Sequence, residues 1–512
     1  MKKLIVLFLA LALVPFGAFA AGKTLVYGTT EKLTDLDNAS TWDFHTWEIF
    51  QNISEGLLSY KLGSSELVPA LAEKYTVNKA GDEYTFVLRK GLKFSNGDPL
   101  DAAAVKWSVD RVVALKGDPV TLVSDYVDTV TVKDPLTVVF KLKSPTGYFP
   151  ALIASPPYFV QDPKVYPVDK IIKDPSELVG GVYVGVGPYK LTSYKRDQEA
   201  VFDANPTYWG DKAKVDRIII RYFADATTLR LALDKGEIDL AFKTLNPSDV
   251  ADESKNPAVN TVKLNGAFIR FIAFENSESV FKDKNLRLAF AYLINRPEII
   301  QKVYLGQNKP LYSMIPNGMQ WQSTTFKPLG DGNVAKAEAL LTKAGFTKAK
   351  PFAFDLWYTT SHYGDAEVNQ AEVLKAQLEK SSLVKVTLKS AEWATYKQQW
   401  DKKQMPAFFL GWYPDYIDPD DYTGVFASTE ASKGMGIYFS SKIWDDLFVQ
   451  ERVAADPKAR AAAFKKVQDL WINDVPTIPL WQGDLFVFTK KNVGGVQTNA
   501  SMLLLYNQLT LK

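Results

Sequence analysis

The densest group of chemically capable side chains lies in one stretch, residues 411–422, with the sequence GWYPDYIDPDDY. It holds four aspartates, four aromatic residues and two prolines, and it follows an apolar strand predicted over 407–411. Open α/β sheets bind ligands at the ends of their strands, so a carboxylate held there among aromatic rings can pair with a cationic group in a dry cleft. A rigid proline turn with surface acids explains the same composition equally well.

The chain lacks most residues that catalytic and metal chemistry requires. It has no cysteine and two histidines, His45 and His362, which leaves no thiolate site and little for histidine-based metal or acid–base chemistry. Phosphate-binding glycine loops, HExxH and GxSxG motifs are also missing from the sequence. Carboxylate pairs are plentiful, but no spacing singles one out as a pair of glycosidase acids. We therefore predict a protein that is not an enzyme and that carries no cofactor or metal.

The first twenty residues predict export. Lys2 and Lys3 precede an apolar run over 4–14, and Ala18-Phe19-Ala20 matches a cleavage site, so 1–20 is predicted to be a signal peptide. A retained membrane anchor is disfavoured because the run is shorter than the ~20 residues that cross a bilayer. Without cysteine there is no residue for a lipid anchor, so we expect a periplasmic or secreted protein.

The composition of the mature chain indicates several folded units with no nucleic-acid partner. Removal of the two signal lysines from the 60 basic side chains leaves 58 basic against 58 acidic ones. This balanced charge gives no indication of binding to nucleic acid or anionic lipid. About 490 residues exceed the size of a single core and predict two to four domains. The 12 Trp, 24 Tyr and 30 Phe suit large cores and also a ligand cleft.

Strands and helices alternate along the chain, which predicts α/β units with parallel pairing. Examples are a helix over 46–58, strands over 352–358 and 384–388 with a helix between them, and a final strand over 485–489 that must return to an earlier sheet.

Five ordered blocks resemble the family 5 extracellular solute-binding proteins of ABC importers, the group that contains the dipeptide- and oligopeptide-binding proteins. The blocks are YTFVLRKGLKFSNGDPL at 84–100 followed by AVKWS at 104–108, GPY at 187–189, NPTYWG at 205–210, LDKGEID at 233–239 and LRLAFAYLINR at 286–296.

The resemblance implies a two-lobed α/β periplasmic-binding-protein fold of the class II type that closes around its ligand. Lobe I would comprise 22–57, 187–271 and 483–512, an inserted subdomain 58–186 would extend it, and lobe II would span 272–482. The implied protein is a monomer that captures short peptides and delivers them to the transmembrane subunits of an ABC permease.

The same resemblance implies a ligand site centred on Asp415, which would hold the α-ammonium of a peptide. Trp412 would line that pocket, Trp393 would be a second cleft tryptophan, and the segment 42–45 would run beside the peptide. Phe409 stands where some oligopeptide binders carry an arginine, and no carboxylate-binding arginine is identified. The implied ligand-binding residues are Asp415, Trp412, Trp393, Tyr413, Tyr416, Trp42, Phe44 and His362.

Alternatives remain open at this point. His362 is equally well explained as a surface loop residue. An oligosaccharide competes with a peptide as ligand, because tryptophan also stacks on sugar faces, whereas nickel is disfavoured by the scarcity of histidine and cysteine. A secreted hydrolase is the remote alternative. Peptide binding requires that Asp415 be dry and face the cleft.

Overall fold

The computed structural model describes residues 22–512 except 244, 361 and 455. The predicted signal peptide lies outside the described residues. Two large mixed sheets, each covered by helices, form the two lobes of the predicted α/β fold.

The first sheet has seven strands and contains the strand nearest the mature N-terminus. Thr24–Thr29 lies parallel to both of its neighbours, and the remaining pairs are antiparallel. Leu485–Lys490 joins this sheet, as predicted for the returning strand. The spatial order is Val259–Leu264, Leu485–Lys490, Leu240–Phe242, Thr24–Thr29, Arg217–Tyr222, Glu199–Ala204 and Tyr189–Lys195.

The second sheet has six strands around a fully buried central strand, Ile269–Phe274. Parallel pairing is confined to Phe352–Thr359 with its two neighbours, so the expectation of parallel pairing holds only in part. The predicted boundary at 271 falls inside the central strand, and the lobe limits stay a prediction. The spatial order is Lys309–Pro310, Thr477–Gln482, Ile269–Phe274, Ala407–Trp412, Phe352–Thr359 and Val384–Ala391.

A four-stranded antiparallel sheet lies within the region predicted as an inserted subdomain. Its buried side chains are continuous with those of the first sheet. The order is Ala72–Val77, Glu83–Leu88, Thr137–Leu142 and Val127–Asp134, and two short ribbons pair Leu58–Tyr60 with Leu67–Pro69 and Val493–Gly494 with Thr510–Leu511.

Helices cover the sheets, and several begin at an aspartate or asparagine whose side chain caps free backbone N–H groups. In the described residues no helix is long and apolar enough to cross a membrane. The helices are Phe44–Ile53, Ala102–Leu115, Thr121–Ser124, Phe149–Leu152, Ala226–Asp234, Pro247–Glu253, Lys284–Leu293, Arg296–Tyr304, Val334–Lys343, Ala366–Leu378, Trp393–Asp401, Gly424–Ala427, Ala431–Gly434, Lys442–Val453 and Pro457–Asp474.

The first helix is shorter than predicted. It ends at Ile53 instead of residue 58. Ser54 is already extended, and the backbone N–H of Gly187 donates a hydrogen bond to the carbonyl of Ile53 at 3.1 Å. A side chain at Gly187 would overlap this carbonyl end of the helix, so the close approach depends on glycine. The segment that contains Gly187 therefore ends the helix. The periodicity of the helix itself cannot reveal this tertiary contact.

Candidate functional site

The loop 412–422 follows the strand Ala407–Trp412 and is buried between the lobes. Its four aspartates, Asp415, Asp418, Asp420 and Asp421, are at most 8% exposed. The alternative of a proline turn with surface acids is therefore wrong. Buried carboxyl groups need hydrogen-bond or charge partners. Two of these aspartates have an arginine partner, and two do not.

Two of the aspartates are paired with arginines from the two long C-terminal helices. Asp418 accepts a bidentate pair of hydrogen bonds from Arg460 at 2.6 and 2.7 Å. Asp420 lies 3.2 Å from Nε of Arg452 and accepts a hydrogen bond from the Tyr416 hydroxyl at 2.8 Å. These ion pairs hold the loop against the helices.

Asp415 is different, because among the described residues no cationic side chain forms an ion pair with it. Its Oδ1 accepts a hydrogen bond from the indole Nε1 of Trp42 at 2.7 Å. Burial raises the pKa of Asp415 to about 7, although the indole hydrogen bond opposes the shift. The carboxyl group is dry, and its ionised form has no cationic partner among the described residues.

Asp421 places a second buried carboxyl group next to Asp415. Its Oδ2 accepts the backbone N–H of Asp415 at 3.1 Å, and its other oxygen has no hydrogen-bond partner in the described structure. Burial, and then the charge of Asp415, raise the pKa of Asp421 well above its usual range. The two carboxyl groups have no cationic partner among the described residues and hold their protons more tightly than usual, so a bound cation would favour their ionised forms.

Aromatic rings from both lobes surround Asp415. Trp42 is edge-on to Trp412, with ring centroids 6.5 Å apart. Phe44 packs on Tyr413 with ring centroids 4.6 Å apart, and Tyr413 also stacks on Phe268 at 5.1 Å. The structure therefore brings together Trp42, Phe44, Trp412, Tyr413 and Asp415.

Tyr416 is oriented away from this group. It is buried and stacks on Tyr148 of the predicted inserted subdomain, with centroids 5.4 Å apart and planes 6° apart. Its contacts join the loop to the first lobe's core.

His362 and Trp393 form a second aromatic cluster. Their rings stack at 3.8 Å with an interplanar angle of 4°. Partial burial, together with the nearby charges of Arg270 and Lys397, lowers the pKa of His362 below its usual range. The ring is therefore neutral at pH 7, with one face covered by Trp393.

Arg270 was missed by the sequence reasoning. It belongs to the strand Ile269–Phe274, and its Cα is paired with that of Gly411. Its guanidinium occupies the space where a side chain at Gly411 would stand, 3.7 Å from the Tyr363 ring centroid. The available signal was one arginine in an otherwise apolar strand, IRFIAF.

Metal binding has no visible site in the described part of the chain. No group of three or more His, Cys, Asp or Glu side chains there is arranged to hold an ion.

The two lobes, with a buried carboxylate and aromatic rings where they meet, define a binding protein of the two-lobed type. The family model for bacterial extracellular solute-binding proteins, family 5 Middle, matches residues 66–434. The chain belongs to this family, as the resemblance predicted.

Similar proteins extend the match over almost the whole chain. The dipeptide-binding protein DppE of Bacillus subtilis is 28% identical over 499 residues, which cover 91% of this chain and 88% of that protein.

Among solved structures, the periplasmic binding protein DppA of Helicobacter pylori in complex with the peptide STSA has a TM-score of 0.82 and 24% identity, covering 96% of this chain and 98% of that one. NikA of Brucella suis in complex with Fe(III)-EDTA has a TM-score of 0.84 and 25% identity, covering 96% and 100%. The fold thus occurs in proteins whose ligands differ in chemistry.

Proposed function

We propose that the protein is the substrate-binding component of an ABC importer for short peptides, and that Asp415 holds the peptide α-ammonium. The observation that carries this proposal is the buried carboxylate of Asp415, which has a hydrogen-bond donor but no cation among the described residues. An ammonium group would supply the missing positive charge and favour the ionised carboxylate.

The aromatic residues suit the same ligand. Trp412, Tyr413 and Phe44 provide apolar surface beside the anchor, so side chains of different kinds can be covered without specific hydrogen bonds. Hydrogen bonds to the peptide backbone give affinity that depends little on sequence. Support also comes from the relatives that are named as dipeptide-binding proteins.

The protein acts by binding and release, without chemistry. Ligand contacts from both lobes shift the population from open to closed, and the closed form delivers the peptide to the transmembrane subunits of its permease. We further propose that residues 1–20 are removed on export and that the mature protein works as a monomer in the periplasm or as a secreted protein. N-terminal sequencing should then begin at or next to Ala21.

The test begins with the ligand that the protein retains. The protein is purified gently and denatured, and mass spectrometry of the released small molecules should detect short peptides. Calorimetry then compares alanyl-phenylalanine with its N-acetyl form and with maltotriose. Breaking a buried charge pair costs ~3–5 kcal/mol, so acetylation should weaken binding roughly 200- to 5,000-fold. Tight binding of maltotriose, or equal binding of free and acetylated dipeptide, would contradict the proposal.

A further inference from the structure

The loop 412–422 packs on the cores of both lobes. Its ends, Trp412 and Tyr422, contact the buried side chains around the second sheet. Its middle, Tyr416 and Ile417, packs instead on the buried side chains around the first sheet. If the lobes separate, the middle of the loop must leave these contacts while its ends stay with the second sheet.

The region 58–186, which contains the four-stranded sheet, makes two specific contacts to the middle of this loop. The hydroxyl of Tyr60 accepts a hydrogen bond from the backbone N–H of Ile417 at 3.1 Å. The ring of Tyr148 stacks on that of Tyr416, with planes 6° apart. Hydrogen bonds and ring stacking require close approach, so both contacts exist only while the loop lies against this region.

The same region also contacts the two long C-terminal helices of the second lobe. The backbone N–H of Gly147 donates to the carbonyl of Arg452 at 3.1 Å. The guanidinium carbon of Arg460 lies 5.1 Å from the ring centroid of Tyr148. The contacts therefore extend beyond the loop and join the region 58–186 to a wider surface of the second lobe.

These contacts are separate from the ammonium anchor. In the described part of the chain, Tyr60, Gly147 and Tyr148 form no hydrogen bond or ring contact with Asp415 or Trp42. They can therefore change how long the lobes stay together without changing which chemical groups of the ligand are recognised.

We propose that the region 58–186 is a latch, which engages the loop and the C-terminal helices through Tyr60, Gly147 and Tyr148 when the lobes close and thereby sets the rate of peptide release. This inference rests on the proposed function, from which closure around a peptide is taken. It gives a role to a region that holds no part of the anchor.

The latch has a kinetic signature. A contact that forms only after closure stabilises the closed form, whereas the first encounter of the peptide with the open form does not involve it. Loss of a latch contact should therefore raise the dissociation rate constant and leave the association rate constant nearly unchanged. The effect should be the same for every peptide, because the latch does not touch the ligand.

The experiment is stopped-flow kinetics with alanyl-phenylalanine on the mature full-length protein. A hydrogen bond or an aromatic pair is worth enough that Tyr60→Phe and Tyr148→Ala should each raise the dissociation rate constant about 2- to 12-fold. The association rate constant should stay within about twofold of wild type. The affinity ratio between the free and the N-acetylated dipeptide should also match wild type.

Tyr158→Phe is the matched control. Tyr158 is buried in the same region, and its hydroxyl donates to the carbonyl of Leu122 at 2.9 Å, so this variant loses a hydrogen bond within the region 58–186. Its dissociation rate constant should equal that of wild type, while the free energy of unfolding of the ligand-free protein should fall. Tyr60→Phe should show the reverse pattern.

Amide hydrogen exchange tests the latch in wild type, even if the variants do not fold. The N–H groups of Gly147 and Ile417 both donate across the contact. Their exchange should slow when saturating alanyl-phenylalanine is added. Gly147 is the more telling of the two, because it does not belong to the loop that carries Asp415.

Three results would overturn the latch: unchanged dissociation in both variants, an altered ratio between free and acetylated dipeptide, or equal exchange at Gly147 with and without ligand. A wild-type protein that does not bind alanyl-phenylalanine would instead contradict the peptide proposal alone. The exchange measurement is then made with the ligand that mass spectrometry identifies, and absence of protection at Gly147 again rejects the latch.

Discussion

The indole Nε1 of Trp42 donates a hydrogen bond to Oδ1 of Asp415 across 2.7 Å, and the two residues come from opposite ends of the chain. Trp42 precedes the first helix, whereas Asp415 follows a strand of the second sheet. A neutral donor stabilises the ionised carboxylate without neutralising it. The contact therefore joins the lobes and keeps Asp415 receptive to a cation.

The first prediction concerns the anchor itself. Asp415→Asn should weaken binding of alanyl-phenylalanine by roughly 200- to 5,000-fold, because the peptide ammonium is left without its counter-charge. N-acetylation of the peptide should do little further damage to this variant, because both changes remove the same interaction. Calorimetry on the two proteins with the two ligands measures this coupling, and fully additive losses would show that Asp415 and the amine do not meet.

The second prediction concerns pH. The pKa of Asp415 is about 7 in the free protein, and a bound ammonium requires the ionised form. Affinity should therefore be highest between about pH 7 and pH 8, where Asp415 is ionised and the α-amino group of the peptide still carries its proton. It should fall up to about tenfold per unit as pH decreases below 7. Asp415→Asn should lack this slope. Calorimetry in buffers of different ionisation enthalpy should also detect proton release on binding below pH 7.

The free energy of unfolding of the ligand-free protein should change with pH in the direction opposite to the affinity. The folded pKa of Asp415 lies above the unfolded value of 3.8, so the folded state holds a proton that the unfolded state has lost. The stability contributed by this protonation is present at low pH and is lost as pH rises from about 4 to about 7. Glu55 and Glu367 also have a pKa of about 7, so the difference between wild type and Asp415→Asn isolates the contribution of Asp415.

The third prediction concerns Trp42. Trp42→Phe removes the indole donor, which opposes the upward shift in the pKa of Asp415, so the pH midpoint of peptide binding should move above 7. Trp209→Phe is a matched control, because Trp209 has similar exposure and donates to Glu55 at 2.7 Å outside the cleft. A binding profile with the same midpoint in Trp42→Phe and wild type would show that this hydrogen bond does not tune the anchor.

The fourth prediction concerns lobe closure. Tyr148 stacks on Tyr416 at 5.4 Å, and the N–H of Gly147 donates to the carbonyl of Arg452 at 3.1 Å. An aromatic pair contributes ~0.5–1.5 kcal/mol, so Tyr148→Ala should weaken peptide binding about 2- to 12-fold. Solution scattering with subsaturating peptide should show a larger mean radius than wild type. Tyr75→Ala, an exposed tyrosine stacked on Phe86, should leave both measurements unchanged.

The fifth prediction separates the stabilising aspartates from the anchor. Asp418→Asn leaves Arg460 without its bidentate partner, although Glu451 still contacts Arg460 at 2.9 Å. We expect the free energy of unfolding to fall by about 3 kcal/mol, the lower end for a broken buried pair. Asp203→Asn, in an exposed pair with Arg217, should cost less than about 1 kcal/mol. Equal losses in urea unfolding would contradict the structural role of Asp418.

Local sequence was sufficient for many of the elements and for the family. The hairpin at 189–204, the helices near 442 and 457 and the strand before residue 412 follow from periodicity and turn residues, because those signals depend on neighbours a few residues away. The predicted first helix runs too far, because Gly187, whose N–H binds the last carbonyl of the helix, belongs to a distant segment of the chain.

The sequence by itself determined that the acids and aromatic residues of 411–422 follow a strand, the place where a ligand site is expected. Only the tertiary structure decided which of these acids have a cationic partner and which do not. Arg460 and Arg452, which lie on later helices, form ion pairs with two of the aspartates. Trp42, which belongs to the other lobe, donates a hydrogen bond to Asp415. The four aspartates look alike in the sequence because charge compensation acts through space. Only folding leaves Asp415 buried without a cationic partner among the described residues.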